Sequence, residues 1–240
     1  MNYLFSIMLL ILCVCNVSVV YAEQNTQNAT KIEAKAKRLS DKKIRIQGLT
    51  VNNNPYFMID VLANKTFDRV KREERIIKKD PNHLKKIVEE ELLPYVDNRY
   101  ASYKVLSPYL KRTTADERMR FVKAFTNYMI TNYAQTLTLY DDQKFVVEEP
   151  KNVDKVKLVS VDVIIKQTPK NKRLTLQFKA RRSKKGDWKI YDLVAESVSV
   201  LVSKQAEIRQ LMRNNKNSLN AVIQLLEEKA AVNIELKNKR

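Results

Sequence analysis

Few side chains in this 240-residue sequence are placed to do chemistry. The chain has one histidine, His83, set beside lysines on the polar side of a short helical pattern, where an imidazole reads as a surface residue rather than a base or a ligand. Gly48 and Gly186 are the two glycines, so no glycine-rich loop can cradle a phosphate. Serines 197, 199 and 203 have no histidine in a matching motif and no glycine-flanked elbow. The neighbouring acids Glu89 to Glu91 and Asp141 with Asp142 read as solvated helix and turn residues, since nothing around them forces a shared proton. Cys13 and Cys15 both fall in an uncharged leader, each after a bulky residue, and neither fits a lipid-attachment site. The reading is that this protein is no enzyme and binds no metal or cofactor.

What remains is apolar surface. The stretch "DWKIYDLVAESVSVLVSKQAEI", Asp187 to Ile208, carries no charge from Ser197 to Ser203, although Asp, Glu, Lys and Arg make up 30% of the chain. Valines at 194, 198, 200 and 202 follow strand spacing, while Val194, Val198, Leu201, Gln205 and Ile208 fit one face of a helix. Such a segment needs an apolar partner, either a packed core or an apolar ligand.

The elements that must hold it follow from periodicity. Residues 1 to 22 are uncharged and long enough to cross a bilayer, and "VYA" before Glu23 places small residues where a signal peptidase cuts. We read 1–22 as a signal peptide cleaved after Ala22, with a retained amino-terminal anchor as the alternative. Residues 23–54, basic in the middle and asparagine-rich at both ends, read as a flexible tether. The remainder, 55–240, reads as one domain. Its mature chain lacks cysteine, so its stability must come from a hydrophobic core.

Within that domain the pattern is helical to about residue 140. A stripe of Met58, Leu62, Phe67, Val70 and Ile77 comes first; Asp80 and Pro81 open "PNHLKKIVEEELLP"; "YVDNRYASYKVL" follows; and the capping box "TADE" at 114–117 opens a long helix. Beyond 143 the period becomes two. "KFVVEE", "KVKLVSVDVIIK", "RLTLQFKARR" and "WKIYDLVAE" read as strands with short turns, which implies antiparallel pairing. Two more helices, "KQAEIRQLMRNN" and "SLNAVIQLLEEK", close the chain. Helices before and after a twisted, mainly antiparallel sheet of four or more strands give an α+β fold, with the helices on one sheet face.

Several segments, in this order, carry a resemblance: "NKTFDRVK", "VEEELLPYVDNRYAS", "FVKAFTNYMITNYAQTL" and "WKIYDLVAESVSVLVSKQAEI". They are similar to the MlaC-type, or toluene-tolerance, family of periplasmic phospholipid carriers of the Mla pathway, over roughly residues 56 to 230. The resemblance implies a soluble monomer in the periplasm with a deep apolar pocket for the acyl chains of a phospholipid, the headgroup staying outside. It further implies two docking partners, an outer-membrane MlaA-type lipoprotein complex and an inner-membrane ABC transporter carrying an MlaD-type MCE protein. The chain departs from the family at Ser197, where glycine is usual, and in its longer basic segment before Pro55.

On this reading the expected pocket residues are Phe67, Val96 and Tyr100 from the early helices and Phe125, Tyr128, Met129, Tyr133 and Leu137 from the long one. The strands add Val161, Val163, Leu176 and Phe178, and the opening segment adds Val194, Val198, Leu201 and Val202. Each could equally be ordinary core, because a pocket wall and a core wall have the same composition. The other reading of the whole chain is an exported adaptor of the same fold whose core its own side chains fill.

The net charge is +18, and from Val163 to Gly186 there are nine Lys or Arg and no acid. Exported, such a chain meets lipid headgroups and acidic protein faces rather than nucleic acid. Lys170, Lys172, Arg181 and Lys185 in the sheet turns are the expected docking cations; a solvated sheet end that resists aggregation is the competing reading.

Overall fold

The computed structural model describes residues 53–140, 143–167 and 172–236. The leader with its two cysteines, most of the basic segment, Asp141, Asp142 and Lys170 lie outside the described residues.

Helix α1 (Pro55–Arg72) starts at the proline with which the domain is expected to begin, and Asn54, read as part of the tether, caps it by accepting from the Phe57 amide at 3.0 Å. The stripe read as one helix breaks at Glu73, and α2 (Glu74–Lys79) follows. Asp80 takes the Asn82 amide at 3.0 Å across a tight turn, so α3 (His83–Ile87) begins two residues later than Pro81 suggests. Its continuation, Val88–Leu92, widens into a π-helical turn that no periodicity announced. Asp97 then caps α4 (Asn98–Leu106), accepting from the Tyr100 amide at 3.1 Å. The capping box forms as expected at α5 (Ala115–Leu137): the Glu117 amide donates to the Thr114 hydroxyl at 3.1 Å, and the Thr114 amide to the Glu117 carboxylate at 2.8 Å.

The sheet is a meander of five antiparallel strands in order β1-β2-β3-β4-β5. These are β1 (Lys144–Val147), β2 (Leu158–Gln167), β3 (Lys172–Arg182), β4 (Trp188–Ala195) and the two-residue β5 (Val198–Ser199). Register aligns Val161 with Phe178 and Phe178 with Leu193 across three strands, and Val147, Val163, Leu176 and Ala195 across four. The alternating apolar residues therefore share one face.

The ambiguous stretch resolves into both of its readings. It is strand to Ala195, turns through Glu196 and Ser197, pairs again at Val198 and Ser199, and then becomes helix α6 (Val200–Asn214). Both turn residues have positive φ, 47° and 67°, the conformation a tight two-residue hairpin demands and glycine or asparagine normally supplies. Ser199 caps α6, taking the Val202 amide at 3.1 Å. The buried Asp192 of β4 fixes the junction by accepting from the Ser199 hydroxyl at 2.8 Å and the Leu201 amide at 3.0 Å. Helix α7 (Leu219–Ala231), capped by Ser218, lies against α5.

Candidate functional site: an apolar seam between three cores

The buried apolar residues fall into three groups rather than one. A helical core joins Val105 and Leu106 of α4, Phe121, Phe125 and Met129 of α5, Ile208 and Met212 of α6, and Val222 and Leu226 of α7. A sheet core packs Tyr56, Met58, Ile59 and Leu62 of α1 on Val161, Val163, Ala180, Trp188 and Ile190. A third core, around Leu84, Ile87, Val88, Ile130 and Leu137, ties α3 and the π-turn to the far end of α5.

Where these cores meet, burial is incomplete. Leu92, at the end of the π-turn, packs on both the sheet core and the third core, and Tyr133 packs on both the helical core and the third core. On the sheet face, burial falls along β3 from Ala180, fully buried, to the half-buried Phe178 and Leu176. Phe67 stacks on Phe145 of β1 at 4.1 Å and tilts against Tyr140 at 4.6 Å, extending the seam as an aromatic wall. Phe67, Leu92, Tyr133, Phe145, Leu176 and Phe178 are thus half-buried apolar groups on the margins of the three cores, and this margin, which Leu92 and Tyr133 carry from one core to the next, is the seam.

The expected pocket residues distribute unevenly over this geometry. Phe67, Tyr133, Leu176 and Phe178 lie on the seam. Phe125, Tyr128 and Met129 sit in the helical core, Leu137 in the third core, and Val161 and Val163 in the sheet core beneath α1. Val96 bridges Ile190 at the outer edge of β4, and Tyr100 stands on α4 against Arg181 and Tyr191. Val194 registers with Gln177 on the opposite sheet face; Leu201 is half-buried against the helical core; Val198 and Val202 are 42% and 58% exposed. Sequence reasoning did not single out Leu92 or Phe145: a π-turn leaves no periodic signal, and Phe145 opens a four-residue strand. An opening of about 180 Å³ lies elsewhere, between Tyr109, Arg112, Thr113, Glu117, Met212 and the loop before α7, and none of the pocket candidates lines it. It is smaller than the roughly 300 Å³ at which small-molecule pockets begin.

Two charged clusters tie the surrounding elements together. Arg69 of α1, with a side chain 12% exposed, reaches Glu73 at 3.0 Å, Glu90 at 2.6 Å and Glu91 at 2.8 Å, pinning the π-turn to α1. Glu90 and Glu91, expected to be merely solvated, are therefore ion-paired. His83, expected at the surface, is 17% exposed in its side chain and stands 2.6 Å from Glu73; its hydrogen bond, ahead of the Arg69 charge, holds the Glu73 carboxyl below its usual range. The second cluster crosses α5, α6 and α7: Glu207 takes Lys204 at 2.9 Å, Lys229 at 2.7 Å and the Tyr128 hydroxyl at 2.9 Å. Burial works to raise the Glu207 carboxyl, but the two ammonium groups outweigh it and hold it low. Burial and the nearby Asp192 charge push the Tyr133 phenol up to about 12. Among the expected docking cations, Arg181 is engaged by Asp97 at 2.7 Å, Lys185 is exposed in the β3–β4 turn, and Lys172 begins β3.

Comparison with known proteins agrees with this architecture. A family described as MlaC protein matches residues 60–228. The intermembrane phospholipid transport system binding protein MlaC of Haemophilus influenzae is 39% identical over 149 residues, 62% of this chain and 70% of that one. The structure of a phospholipid-binding protein from Ralstonia solanacearum, solved in complex with a phospholipid, superposes with a TM-score of 0.64 at 13% identity, covering 75% of this chain and 97% of the other, and so shares its fold. With the family matched over most of the described domain, and the helix-and-sheet layout found in a solved structure, the chain belongs to the MlaC family.

Proposed function

We propose that this protein is an exported, non-enzymatic phospholipid carrier that takes acyl chains into the seam between the sheet face and the helical layers. The observation that carries the proposal is the seam itself: half-buried apolar groups on the margins of three separately packed cores, in a chain whose family relative is named for phospholipid binding. Two acyl chains hold roughly 30 methylenes, and at about 0.8 kcal/mol each their exposure to water costs on the order of 20 kcal/mol. A carrier must cover them in transit without presenting the same surface when empty. A seam that closes on its own side chains meets both demands, opening as Leu92 and Tyr133 move away from Leu176 and Phe178. The headgroup stays at the seam mouth in water.

In this reading the leader directs export to the periplasm and is removed after Ala22. The carrier then exchanges lipid between an outer-membrane MlaA-type lipoprotein complex and an inner-membrane ABC transporter with an MlaD-type MCE protein, using the basic residues Lys170, Lys172 and Lys185. The test is organic extraction of the purified protein followed by mass spectrometry. About one phospholipid per chain is the expected result; a lipid-free chain that also fails to take up lipid from vesicles would leave the self-filled adaptor as the better reading.

A further inference from the structure

Opposite the apolar sheet face, the outer side of α4 and the adjoining strands build a surface of another kind. Ser102, Val105 and Leu106 turn α4 into the core, which leaves Arg99, Tyr100, Tyr103 and Lys104 as a contiguous outer stripe at helical spacing. Arg99 lies over the Tyr103 ring at 5.5 Å, Lys104 over the Tyr100 ring at 5.4 Å, and Arg181 of β3 over the same Tyr100 ring at 4.1 Å. Tyr191 of β4 meets Tyr100 edge-on at 5.4 Å, and Lys189 registers beside Arg181 on the same sheet face. Two carboxylates lie at this surface and both are engaged: Asp97 is taken up by Arg181 at 2.7 Å and by the Tyr100 amide, and the buried Asp192 faces Lys179 at 3.4 Å.

We infer that this tyrosine–cation surface docks the protein on an anionic phospholipid bilayer, with the Arg99 and Lys104 heads among the headgroup phosphates and the Tyr100 and Tyr103 rings at the headgroup level. Arg99 and Lys104 are exposed and rest on rings, so their N–H groups remain able to meet phosphate oxygens. Tyrosine, with an apolar body and a polar tip, is the side chain that settles at a membrane interface. An extended anionic plane can meet Arg99, Lys104 and the neighbouring Lys189 together within a Debye length of its headgroups, whereas a local acidic protein spot meets the nearest cation alone. For its use, the surface rests on the carrier reading, since a carrier must reach a bilayer to exchange lipid; its chemistry does not.

The test is flotation of the purified protein with phosphatidylcholine vesicles containing 30% phosphatidylglycerol, against pure phosphatidylcholine, for the wild type and the double variant Arg99→Gln, Lys104→Gln. Both positions are exposed and lie outside the seam, and glutamine keeps helix propensity, so circular dichroism and co-purified lipid should not change. Each cation near an anionic surface counts for about fivefold in partitioning, so the variant should bind anionic vesicles roughly 30-fold more weakly than the wild type, and the wild type should lose binding as salt rises. Equal binding by the two proteins, or no preference of the wild type for anionic vesicles, overturns the inference. So does retention on a polyglutamate resin that depends on Arg99 and Lys104 without any vesicle binding, which would assign the surface to an acidic protein. A protein that floats with anionic vesicles but never carries lipid contradicts the carrier reading and leaves the docking surface standing.

Discussion

Replacing Arg69 with methionine should loosen the π-turn before it unfolds the protein. The guanidinium is mostly buried and holds three carboxylates from two elements, Glu73 after α1 and Glu90 and Glu91 in the π-turn, within 2.6–3.0 Å. Methionine keeps the length and apolar stem but leaves those acids without their shared partner. Glu90, 48% exposed, regains water and contributes little, as surface pairs do. Glu73 and Glu91, 19% and 24% exposed, lose more, although His83 remains on Glu73. Breaking a fully buried pair costs about 3–5 kcal/mol, and discounting for this exposure gives a loss of about 2–3 kcal/mol. For a domain of this size that is a fall in Tm of roughly 4–12 °C. Chemical denaturation gives the total, and hydrogen exchange shows where it acts: amides of Val88–Leu92 should lose protection under conditions in which β2 and β3 keep theirs. A loss below about 0.5 kcal/mol with unchanged exchange in the π-turn would show that Arg69 is a surface ornament and not the pin between α1 and the seam.

Other consequences follow from the same structure. Glu207→Gln strands Lys204 and Lys229 and weakens the acceptor of Tyr128, costing about 2–3 kcal/mol. Because the Glu207 carboxyl is held low in the fold, its stabilisation is present above the ordinary glutamate pKa and lost as pH falls through the folded value, so the variant should also show a flatter acid limb in a stability–pH profile. On the alkaline side the buried Tyr133 phenol, raised to about 12, stays protonated while the unfolded phenol ionises near 10, so stability should drop between these values and Tyr133→Phe should recover part of it. Ser197→Gly relieves a left-handed serine in the β4–β5 turn and should raise stability by about 1 kcal/mol in urea denaturation; an unchanged or lower midpoint would mean that Ser197 is not strained there.

How much of this was legible in the sequence depends on whether a feature is local. The capping box at Thr114 and the alternation on β2 and β3 rest on short-range sterics and hydrogen bonds, and each stands as read. The Asp187–Ile208 stretch fitted two periods because the chain uses both, changing over at Ser199 where Asp192 fixes the junction. The site was legible only in part. Periodicity marks Phe125, Val161 and Val163 as inward-facing, but it cannot separate a wall that stays closed from one that opens. That distinction depends on where three cores adjoin, which is set by long-range packing of α1, α5 and β3. The π-turn and the Arg69 pin were missed for the same reason, since the partners of Arg69 lie up to 22 residues away.

The most direct measurement of the central claim is photo-crosslinking of bound lipid from defined positions. A benzophenone amino acid at Phe178 lies on the half-buried seam, whereas one at Val202 lies on the exposed start of α6. Loaded with acyl-labelled phospholipid and irradiated, the Phe178 probe should give a lipid adduct in high yield and the Val202 probe little or none. Adducts at Val202 but not at Phe178, or none at either from a chain that holds lipid by mass spectrometry, would contradict the seam as the place where acyl chains bind.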